Sequence, residues 1–350
     1  MKILAFGDIH FHHTHRFSHI TPDGFTVREL EHLQCADVII DLVEKEKIDK
    51  VVFLGDLWSV VGDNMSCQTL HAVTEFFYKF AEKHINIYAI VGNHDLGSHI
   101  GNRYSHKLKP FMSWANVFVY DKPTIDAYNP DFVYMPYCIS DEQAQTFLEN
   151  IPDKENKIVF SHLEIKGFPL GNGIETQHGV ELSLLKQFKM VLQGHYHCGG
   201  SLGKNIQIAG STQRLSFKDQ GKARDNILIY DTETNTVERR SFNCPDWLTF
   251  TDDNIDDVLK ISNDNYVKLD ITTDLLLTPE IKDKLSHMKG TDIHIDITRL
   301  SINRNVTEEV QPENEVDIIT QFVNKSDNDE EQKKELINEG IRLLDRVKNT

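Results

Sequence analysis

Five short polar clusters, each at or just beyond an apolar β-like run, constrain this chain more than any other feature of its sequence. They are Gly7-Asp8-Ile9-His10, Gly55-Asp56, Gly92-Asn93-His94-Asp95, Ser161-His162 and Gly194-His195-Tyr196-His197. Asp and Asn supply hard oxygen ligands and His supplies borderline nitrogen ligands, so the set is large enough to hold two divalent metal ions side by side. Two metals in one pocket of this kind usually indicate phosphate-ester hydrolysis.

The segments between the clusters alternate in type over residues 1–240. Short buried strands are predicted at Ile3–Phe6, Lys50–Leu54, Asn86–Val91, Lys157–Phe160 and Met190–Leu192. Apolar spacing predicts helices at Val27–Lys47 and Met65–His84, and a closing hairpin is predicted from Asn226–Asp231 and Thr236–Arg240. This alternation predicts a layered α/β domain whose active site lies where the strands end.

The pattern of strand-like and helix-like segments changes after Cys244-Pro245. We predict a catalytic domain at 1–245, a small α+β capping domain at 246–305, an acidic linker at 306–330 and a terminal helix within 331–350. Within the small domain the pattern predicts helix Ile255–Ile261, strand Tyr266–Ile271, helix Pro279–Met288 and strand Asp292–Thr298; the terminal helix is predicted at Glu331–Lys348.

Charge and cysteine content narrow the choice of partners. The formal net charge is -17, and residues 241–350 carry 24 acidic against 13 basic residues. A chain this acidic does not attract nucleic acid over long distances, so local basic groups, bound metals or a partner must overcome the repulsion. The 5 cysteines are scattered and contain no CxxC pair. With no signal-peptide core and no membrane-spanning stretch, these features predict a reduced, cytoplasmic protein without a membrane partner.

The motifs Asp8-x-His10, Gly55-Asp56, Gly92-Asn93-His94-Asp95, His162 and Gly194-His195-x-His197 resemble the full motif set of the calcineurin-like metallophosphoesterases. Within that superfamily the chain resembles the SbcD-type DNA double-strand-break repair nuclease subunits, including their bacteriophage versions. Gly55-Asp56-Leu57-Trp58, the segment Gly210–Phe217 and the added domain after residue 245 carry this closer resemblance. It implies an α/β fold, a layered β-sandwich flanked by helices, with the small capping domain and a C-terminal helical tail.

The resemblance also implies roles for individual residues. One metal ion would be held by Asp8, His10, Asp56 and His197, and a second by Asp56, Asn93, His162 and His195. The cofactors would be two divalent ions. The mixed oxygen and nitrogen ligands suit Mn, Fe or Zn better than Mg or Ca, and the resemblance implies Mn. His94 would face the scissile phosphate, and Asp95 would hold His94 in the right tautomer and orientation.

Residues that contact the substrate are less clearly marked. Arg214 is the preferred candidate because its segment belongs to the closer resemblance, with Arg103 and Lys218 as further candidates. Arg214 and Lys218 lie in a basic stretch with Lys204, Lys222 and Arg224, which is equally typical of a solvated hairpin. Many relatives carry a second histidine where this chain has Ser59; His12, His13 and His15 are candidates to replace it, although a polar loop explains them as well.

The resemblance implies a Mn-dependent DNA exonuclease and endonuclease subunit that works on DNA ends in repair and recombination. Gly199–Asn205 lacks the spacing of an ATP-binding loop, so an SMC-like ATPase would be a separate subunit, docked by the C-terminal helix. A homodimer is also implied, in a bacterial or phage-infected cell. Two alternatives remain open: a phosphodiesterase or phosphatase acting on a small substrate, and a non-catalytic scaffold of the same fold.

Overall fold

The structure is a computed structural model that describes residues 1–12, 17–60, 62, 65–100, 103–171, 174–219, 226–295, 315–324 and 330–348. The chain forms two compact units, residues 1–297 and residues 298–350. The first unit contains both the predicted catalytic domain and most of the predicted capping domain. None of the helices in the described part of the chain is both long and apolar enough to cross a lipid bilayer.

The strands and helices of the described residues are numbered in chain order. The strands are β1 (Lys2–Phe6), β2 (Lys50–Phe53), β3 (Ile87–Ile90), β4 (Leu96–Ile100), β5 (Arg103–His106), β6 (Val117–Tyr120), β7 (Thr124–Ile125), β8 (Phe132–Met135), β9 (Ile158–Ser161), β10 (Ile165–Lys166), β11 (Pro169–Gly171), β12 (Ile174–Glu175), β13 (Val180–Glu181), β14 (Met190–Gln193), β15 (Gly200–Ser201), β16 (Ile206–Ile208), β17 (Ile227–Asp231), β18 (Thr236–Arg240), β19 (Trp247–Thr251), β20 (Tyr266–Ile271) and β21 (Gly290–Ile295). The helices are α1 (Val27–Glu46), α2 (Cys67–Glu82), α3 (Asp141–Glu149), α4 (Leu182–Leu185), α5 (Pro279–Ser286), α6 (Glu315–Asn324) and α7 (Glu330–Lys348).

Two six-stranded sheets form the centre of the first unit. The first has the order β18-β17-β1-β2-β3-β6, and the second has the order β15-β16-β14-β9-β8-β7. In the first sheet β1, β2, β3 and β6 run parallel, and in the second β8, β9, β14 and β16 run parallel. The strands predicted within residues 1–240 are confirmed, with ends that differ by about one residue, and the β17–β18 hairpin is also confirmed. The strand predicted at Asp292–Thr298 begins two residues earlier, at Gly290, and residues 296–298 lie outside the described residues.

The sheets pack face to face, with helices on the outer faces. Apolar side chains from both sheets, including Val52 and Phe160, share one buried cluster between them. On the outer face of the first sheet, α1 and α2 contribute residues such as Ile39 and Phe76 to a second cluster. Residues of α3 and α4, such as Leu148 and Leu185, cover the second sheet. The predicted layered α/β sandwich flanked by helices is therefore confirmed.

A smaller parallel sheet, β19-β20-β21, has its own core with α5. It contacts α1 through a buried charged network. The carboxylate of Glu31 accepts hydrogen bonds from the Tyr266 hydroxyl at 2.8 Å and from Arg28, and Lys289 Nζ lies 2.5 Å from it. The Arg28 guanidinium lies 5.1 Å from the ring centroid of Trp247. Loss of one partner from such a network leaves a buried charge uncompensated, so the network holds the small sheet firmly against α1.

The second unit consists of α6 and α7 in the described residues. Gly340 allows the two helices to approach closely, because a Cβ at this position would lie 2.8 Å from Ile319 Cγ2. The helix predicted at Glu331–Lys348 is confirmed as α7. The segment predicted as a solvated linker contains α6, a helix that the acidic composition did not indicate; residues 306–314 and 325–329 lie outside the described residues.

Candidate active site

Polar residues from both large sheets meet where the parallel strands end. Asp8, Asp56 and Asn93 follow β1, β2 and β3, while His162 and His195 follow β9 and β14. Because these strands run parallel within each sheet, their carboxyl ends lie at one edge, the usual place for a binding site in α/β sheets. The predicted position of the polar clusters at strand ends is therefore confirmed.

The backbone at these strand ends adopts a conformation that residues with side chains rarely take. Four residues predicted as metal ligands have positive φ: Asp8 (53°), His10 (57°), Asp56 (58°) and His195 (71°). Such residues cost of order 1–3 kcal/mol each and persist only where the surrounding structure holds them. Here the Asp8 N–H donates to the Gly55 carbonyl at 2.9 Å, and the His10 N–H donates to the Asp56 carbonyl at 3.2 Å. These bonds tie the first two loops together.

One cluster of possible metal ligands consists of Asp8, His10 and His197. Their ligand atoms all lie within 4.8 Å of one another. The Nε2 atoms of the two histidines are 3.0 Å apart, and Oδ1 of Asp8 lies 3.9 Å from Nε2 of His10. Two imidazole nitrogens and a carboxylate oxygen that converge in this way are typical of a site for a divalent transition-metal ion.

A second cluster consists of Asp56, His162 and His195, whose ligand atoms also lie within 4.8 Å of one another. Nε2 of His162 lies 3.3 Å from Oδ2 of Asp56. Oδ1 of Asn93 lies 3.0 Å from a ring nitrogen of each of the two histidines. Oδ2 of Asp56 is also 3.7 Å from Nε2 of His10, so this carboxylate lies between the clusters. The structure thus brings together all seven residues predicted to be metal ligands.

Asp8 shows that the residues fit a cation. Its side chain is fully buried, and its Oδ1 atom has no hydrogen-bond partner within the part of the chain that the structure describes. A buried acceptor without a donor is unfavourable, whereas a metal ligand needs an available lone pair. Burial raises the pKa of Asp8 to about 8, and a divalent ion beside the carboxylate would reverse that shift.

The histidines support the same conclusion. Burial lowers the pKa of His10 and of His195 to about 3, so both imidazoles are neutral, the form that binds metals. In His162 burial also opposes the charged form, but the Asp56 carboxylate outweighs it and raises the pKa to about 9. Nδ1 of His162 lies 2.6 Å from the Leu54 carbonyl, which directs Nε2 towards Asp56. A cation at that position would take the place of the proton.

His94 lies beside both clusters and is only partly buried. Its ring is edge-on to that of His10, with centroids 4.8 Å apart, and its backbone N–H donates to Oδ1 of Asp56 at 2.8 Å. Nδ1 lies 2.7 Å from the carbonyl oxygen of Ser59. Because a carbonyl only accepts, Nδ1 carries the hydrogen in this geometry, and Nε2 is the nitrogen left to act on a substrate.

Asp95 is predicted to orient His94, and in the described residues its carboxylate accepts from backbone N–H groups rather than from the His94 ring. The Asp95 carboxylate is fully buried and accepts hydrogen bonds from four backbone N–H groups: those of Gly92 (2.8 Å), Asp56 (3.0 Å), Leu57 (2.8 Å) and Trp58 (3.3 Å). Adjacent residues direct their side chains differently, and here Asp95 turns towards the loop that follows β2. Asp95 therefore holds the backbone that carries Asp56, while the carbonyl of Ser59 orients His94.

Lys107 is a site residue that the sequence did not indicate. It lies just after β5, and its Nζ atom donates to the carbonyl of His94 at 3.0 Å and to the carbonyl of Val60. Its backbone N–H donates to the carbonyl of Asp95 at 2.8 Å. Lys107 thus ties the His94 loop to the loop that contains Ser59. The contacts go to backbone carbonyls, which leave no trace in the sequence.

The structure describes the side chains of two of the three predicted substrate contacts, Arg214 and Lys218, and neither is a member of the ligand clusters. Arg214 is only 5% exposed, its Nε atom lies 3.7 Å from Oδ1 of Asp246, and its carbonyl accepts from Arg28 at 3.2 Å. Lys218 is exposed in a single 3-10 turn, Phe217–Asp219. Arg103 begins β5, but its side chain lies outside what the structure describes, as do residues Lys222, Arg224, His13 and His15. Nδ1 of His12 lies 3.1 Å from the carbonyl of His10.

This chain is similar in sequence or fold to several known proteins. A family profile described as calcineurin-like phosphoesterase matches residues 1–199. Exonuclease subunit 1 of Enterobacteria phage T4 is 27% identical over 244 residues, which is 68% of this chain and 67% of that protein. Among solved structures, a proposed 5′-nucleotidase from Staphylococcus aureus is 13% identical, with a TM-score of 0.34; the match covers 69% of this chain and 52% of that chain. A TM-score at that level supports no inference.

Proposed function

Because this chain belongs to the calcineurin-like phosphoesterase family, a family of metal-dependent enzymes, we propose that it is a DNA nuclease subunit. It hydrolyses phosphodiester bonds at DNA ends, as an exonuclease and an endonuclease, in repair or recombination. The observation that carries the proposal is the pair of ligand clusters with the Asp56 carboxylate between them, beside His94. The similarity to a phage exonuclease subunit supports DNA as the substrate.

The two clusters divide the seven ligands between two metal positions. Asp8, His10, Asp56 and His197 would hold one ion, and Asp56, Asn93, His162 and His195 would hold the other. Mn is the proposed ion, one of the three (Mn, Fe and Zn) that suit a ligand set of carboxylate and amide oxygens with imidazole nitrogens. When bound, two such ions lower the pKa of a water molecule and offset the charge that develops on the phosphate.

His94 acts on the substrate from the edge of the site. The Ser59 carbonyl accepts from Nδ1, so Nε2 faces the scissile phosphate. When the ring carries a hydrogen on both nitrogens, this imidazolium stabilises the developing charge and donates its Nε2 proton to the leaving oxygen, which leaves the neutral tautomer with its hydrogen on Nδ1. Lys107 and Asp95 do not contact the phosphate; they fix the two loops on which His94 and Asp56 lie. Arg214 is left out of this mechanism because its side chain is buried.

The proposed function also includes partner proteins. The net charge of -17 makes unaided capture of DNA unfavourable, which supports a subunit that works with an SMC-like ATPase. The unit formed by α6 and α7 is the proposed docking element, and the chain acts as a homodimer. Lys218 is the proposed phosphate contact among the exposed residues.

The central test uses the purified full chain with Mn²⁺. We expect release of an end label from linear double-stranded DNA and hydrolysis of bis-p-nitrophenyl phosphate. Both activities should be lost in His94→Ala and kept in His287→Ala, a matched substitution of an exposed histidine on the small domain. Hydrolysis of the small diester without any loss of label would refute the nuclease proposal for this subunit and favour a small substrate.

A separate test addresses the partner. A chain that ends after about residue 305 should lose binding to the ATPase while it keeps metal-dependent diester hydrolysis, because the ligand clusters all lie before residue 200. Retained binding would place the docking surface elsewhere. A protein that binds little Mn²⁺ and hydrolyses neither substrate would be a scaffold rather than an enzyme.

A further inference from the structure

A small recess opens next to His94, outside the ligand clusters. Its volume is about 170 Å³, and the residues that line it include Phe11, Trp58, Ser59, Val60, Met65 and Lys107. Phe11 and Trp58 are almost completely buried, whereas Val60 and Met65 are 46% and 40% exposed. The recess therefore has an apolar floor and two exposed apolar side chains at its opening.

The recess is joined to the catalytic machinery through two of its lining residues. Ser59 contributes the carbonyl that holds Nδ1 of His94, and Lys107 donates to the carbonyl of His94 at 3.0 Å. Lys107 also donates to the carbonyl of Val60. A group bound in the recess would therefore contact Ser59 and Lys107, two residues that are hydrogen-bonded to His94.

The size and chemistry of the recess define its occupant. An apolar cavity of roughly 150 Å³ is enough to hold one benzene ring, so the recess has room for one flat ring and not for a base pair. Its lining combines apolar side chains with the polar groups of Ser66 and His12. A nucleobase has the matching chemistry, with apolar faces and hydrogen-bonding edges, and proteins that bind single strands use apolar and aromatic surfaces in this way.

We infer that this recess is a nucleobase subsite, which receives the unpaired base of the nucleotide whose phosphate faces His94. The inference rests on the proposed function, since it identifies which part of a DNA strand lies beside the metal clusters. A base can enter only after it leaves its pair, so frayed ends and single strands fit the site better than a closed duplex. The subsite thereby makes recognition depend on the base as well as on the phosphate.

The test compares two substrates and three proteins. The substrates are a single-stranded oligonucleotide of defined sequence and the same oligonucleotide with an abasic residue at the cleaved position. The proteins are the wild type, the double variant Val60→Ala/Met65→Ala, and Met112→Ala, which shortens a methionine that is 48% exposed elsewhere. Val60 and Met65 are both partly exposed, so the thermal stability and the Mn²⁺ affinity should be unchanged in all three proteins.

We expect the abasic residue to raise KM about five- to tenfold for the wild type and for Met112→Ala, the range typical of a lost base contact. The double variant should have a similarly raised KM on the normal oligonucleotide and no further increase on the abasic one. An equal abasic penalty in all three proteins, or none in the wild type, would overturn the subsite. If the wild type hydrolyses the small diester and neither oligonucleotide, the proposed function itself fails and the subsite fails with it.

Discussion

Asp95→Asn is the substitution that best separates two accounts of the site. The native carboxylate accepts four backbone hydrogen bonds, two on each oxygen: Oδ2 from Gly92 and Asp56, and Oδ1 from Leu57 and Trp58. An asparagine has the same shape, but its NH₂ group cannot accept. Two backbone N–H groups would therefore remain buried and face another donor.

The expected loss follows from those two bonds. A hydrogen bond to a charged group contributes about 1.5–3 kcal/mol, and an unsatisfied buried donor has a similar effect. Asp95→Asn should therefore lower the free energy of unfolding by about 3–5 kcal/mol, a large part of the roughly 5–15 kcal/mol of a typical domain. Because the affected loop carries Asp56 and Ser59, hydrolysis of bis-p-nitrophenyl phosphate should fall by about a hundredfold or more.

The assay is urea unfolding at pH 8 in the presence of a chelator, so that metal binding does not contribute. Burial raises the pKa of Asp95 to about 6, and at pH 8 the native carboxyl is ionised. With a slope of about 3 kcal/mol per molar urea, the midpoint should fall by about 1–1.7 M. Asp253→Asn, at an exposed position of the small domain, should leave the midpoint unchanged. An Asp95→Asn protein with a native midpoint and no activity would refute this reasoning and restore Asp95 as the partner of His94.

Three further predictions concern the surroundings of the ligand clusters. Both ring nitrogens of the fully buried His32 have no partner among the described residues. Burial holds the pKa of His32 well below its usual range. The neutral His32 therefore contributes fully to the stability of the fold above pH 6.5, and this contribution is lost as the pH falls below 6.5. In chelator, the loss of unfolding free energy between pH 7.5 and 5.5 should be about 1.4 kcal/mol smaller for His32→Phe than for the wild type, and equal slopes would contradict this. Lys107→Met should lower kcat for the small diester about tenfold at nearly constant KM, with partial recovery in Lys107→Arg, because the lysine ties the loops of His94 and Val60; unchanged kinetics would show that the tie is dispensable. Asp8→Asn should be at least as stable as the wild type in chelator, since Oδ1 of Asp8 has no donor among the described residues. Mn²⁺ at 100 times its Kd should stabilise the wild type by about 2.7 kcal/mol and the variant by less than half of that. Equal shifts in Tm for the two proteins would remove Asp8 from the metal site.

The fold could be predicted where the sequence pattern is strong. Buried strands followed by polar clusters, such as β1 and β2, can be located to within about one residue. Short apolar runs and the Gly or polar residues that end them are local features of the sequence. β8 (Phe132–Met135) was missed although it is fully buried, because no polar cluster follows it. α6 was missed because an acidic, sparsely apolar segment reads as a linker, while contact with α7 stabilises it.

The sequence predicts the metal-ligand residues of the site, but it does not predict the backbone groups that orient them. Side chains with metal-binding chemistry are visible in the sequence, and the seven predicted ligands lie together in the structure. The groups that orient His94 and His162 are the carbonyls of Ser59 and Leu54, which any residue could supply. The family resemblance of its segment predicts Arg214 as a substrate contact, but the side chain is buried and lies beside Asp246 of the small domain. Only the fold determines such contacts.

The position of β1 in the first sheet has a consequence for synthesis of the protein. β1 lies between β2 and β17, and its first residue, Lys2, pairs with Asp231, roughly 230 residues later. At about 5–20 residues per second, the ribosome needs some 10–45 s to deliver β17 after β1. During that time one side of β1 has unpaired N–H and C=O groups, a state open to pairing with other nascent chains. We expect the growing chain to depend on chaperones until residue 240 has emerged.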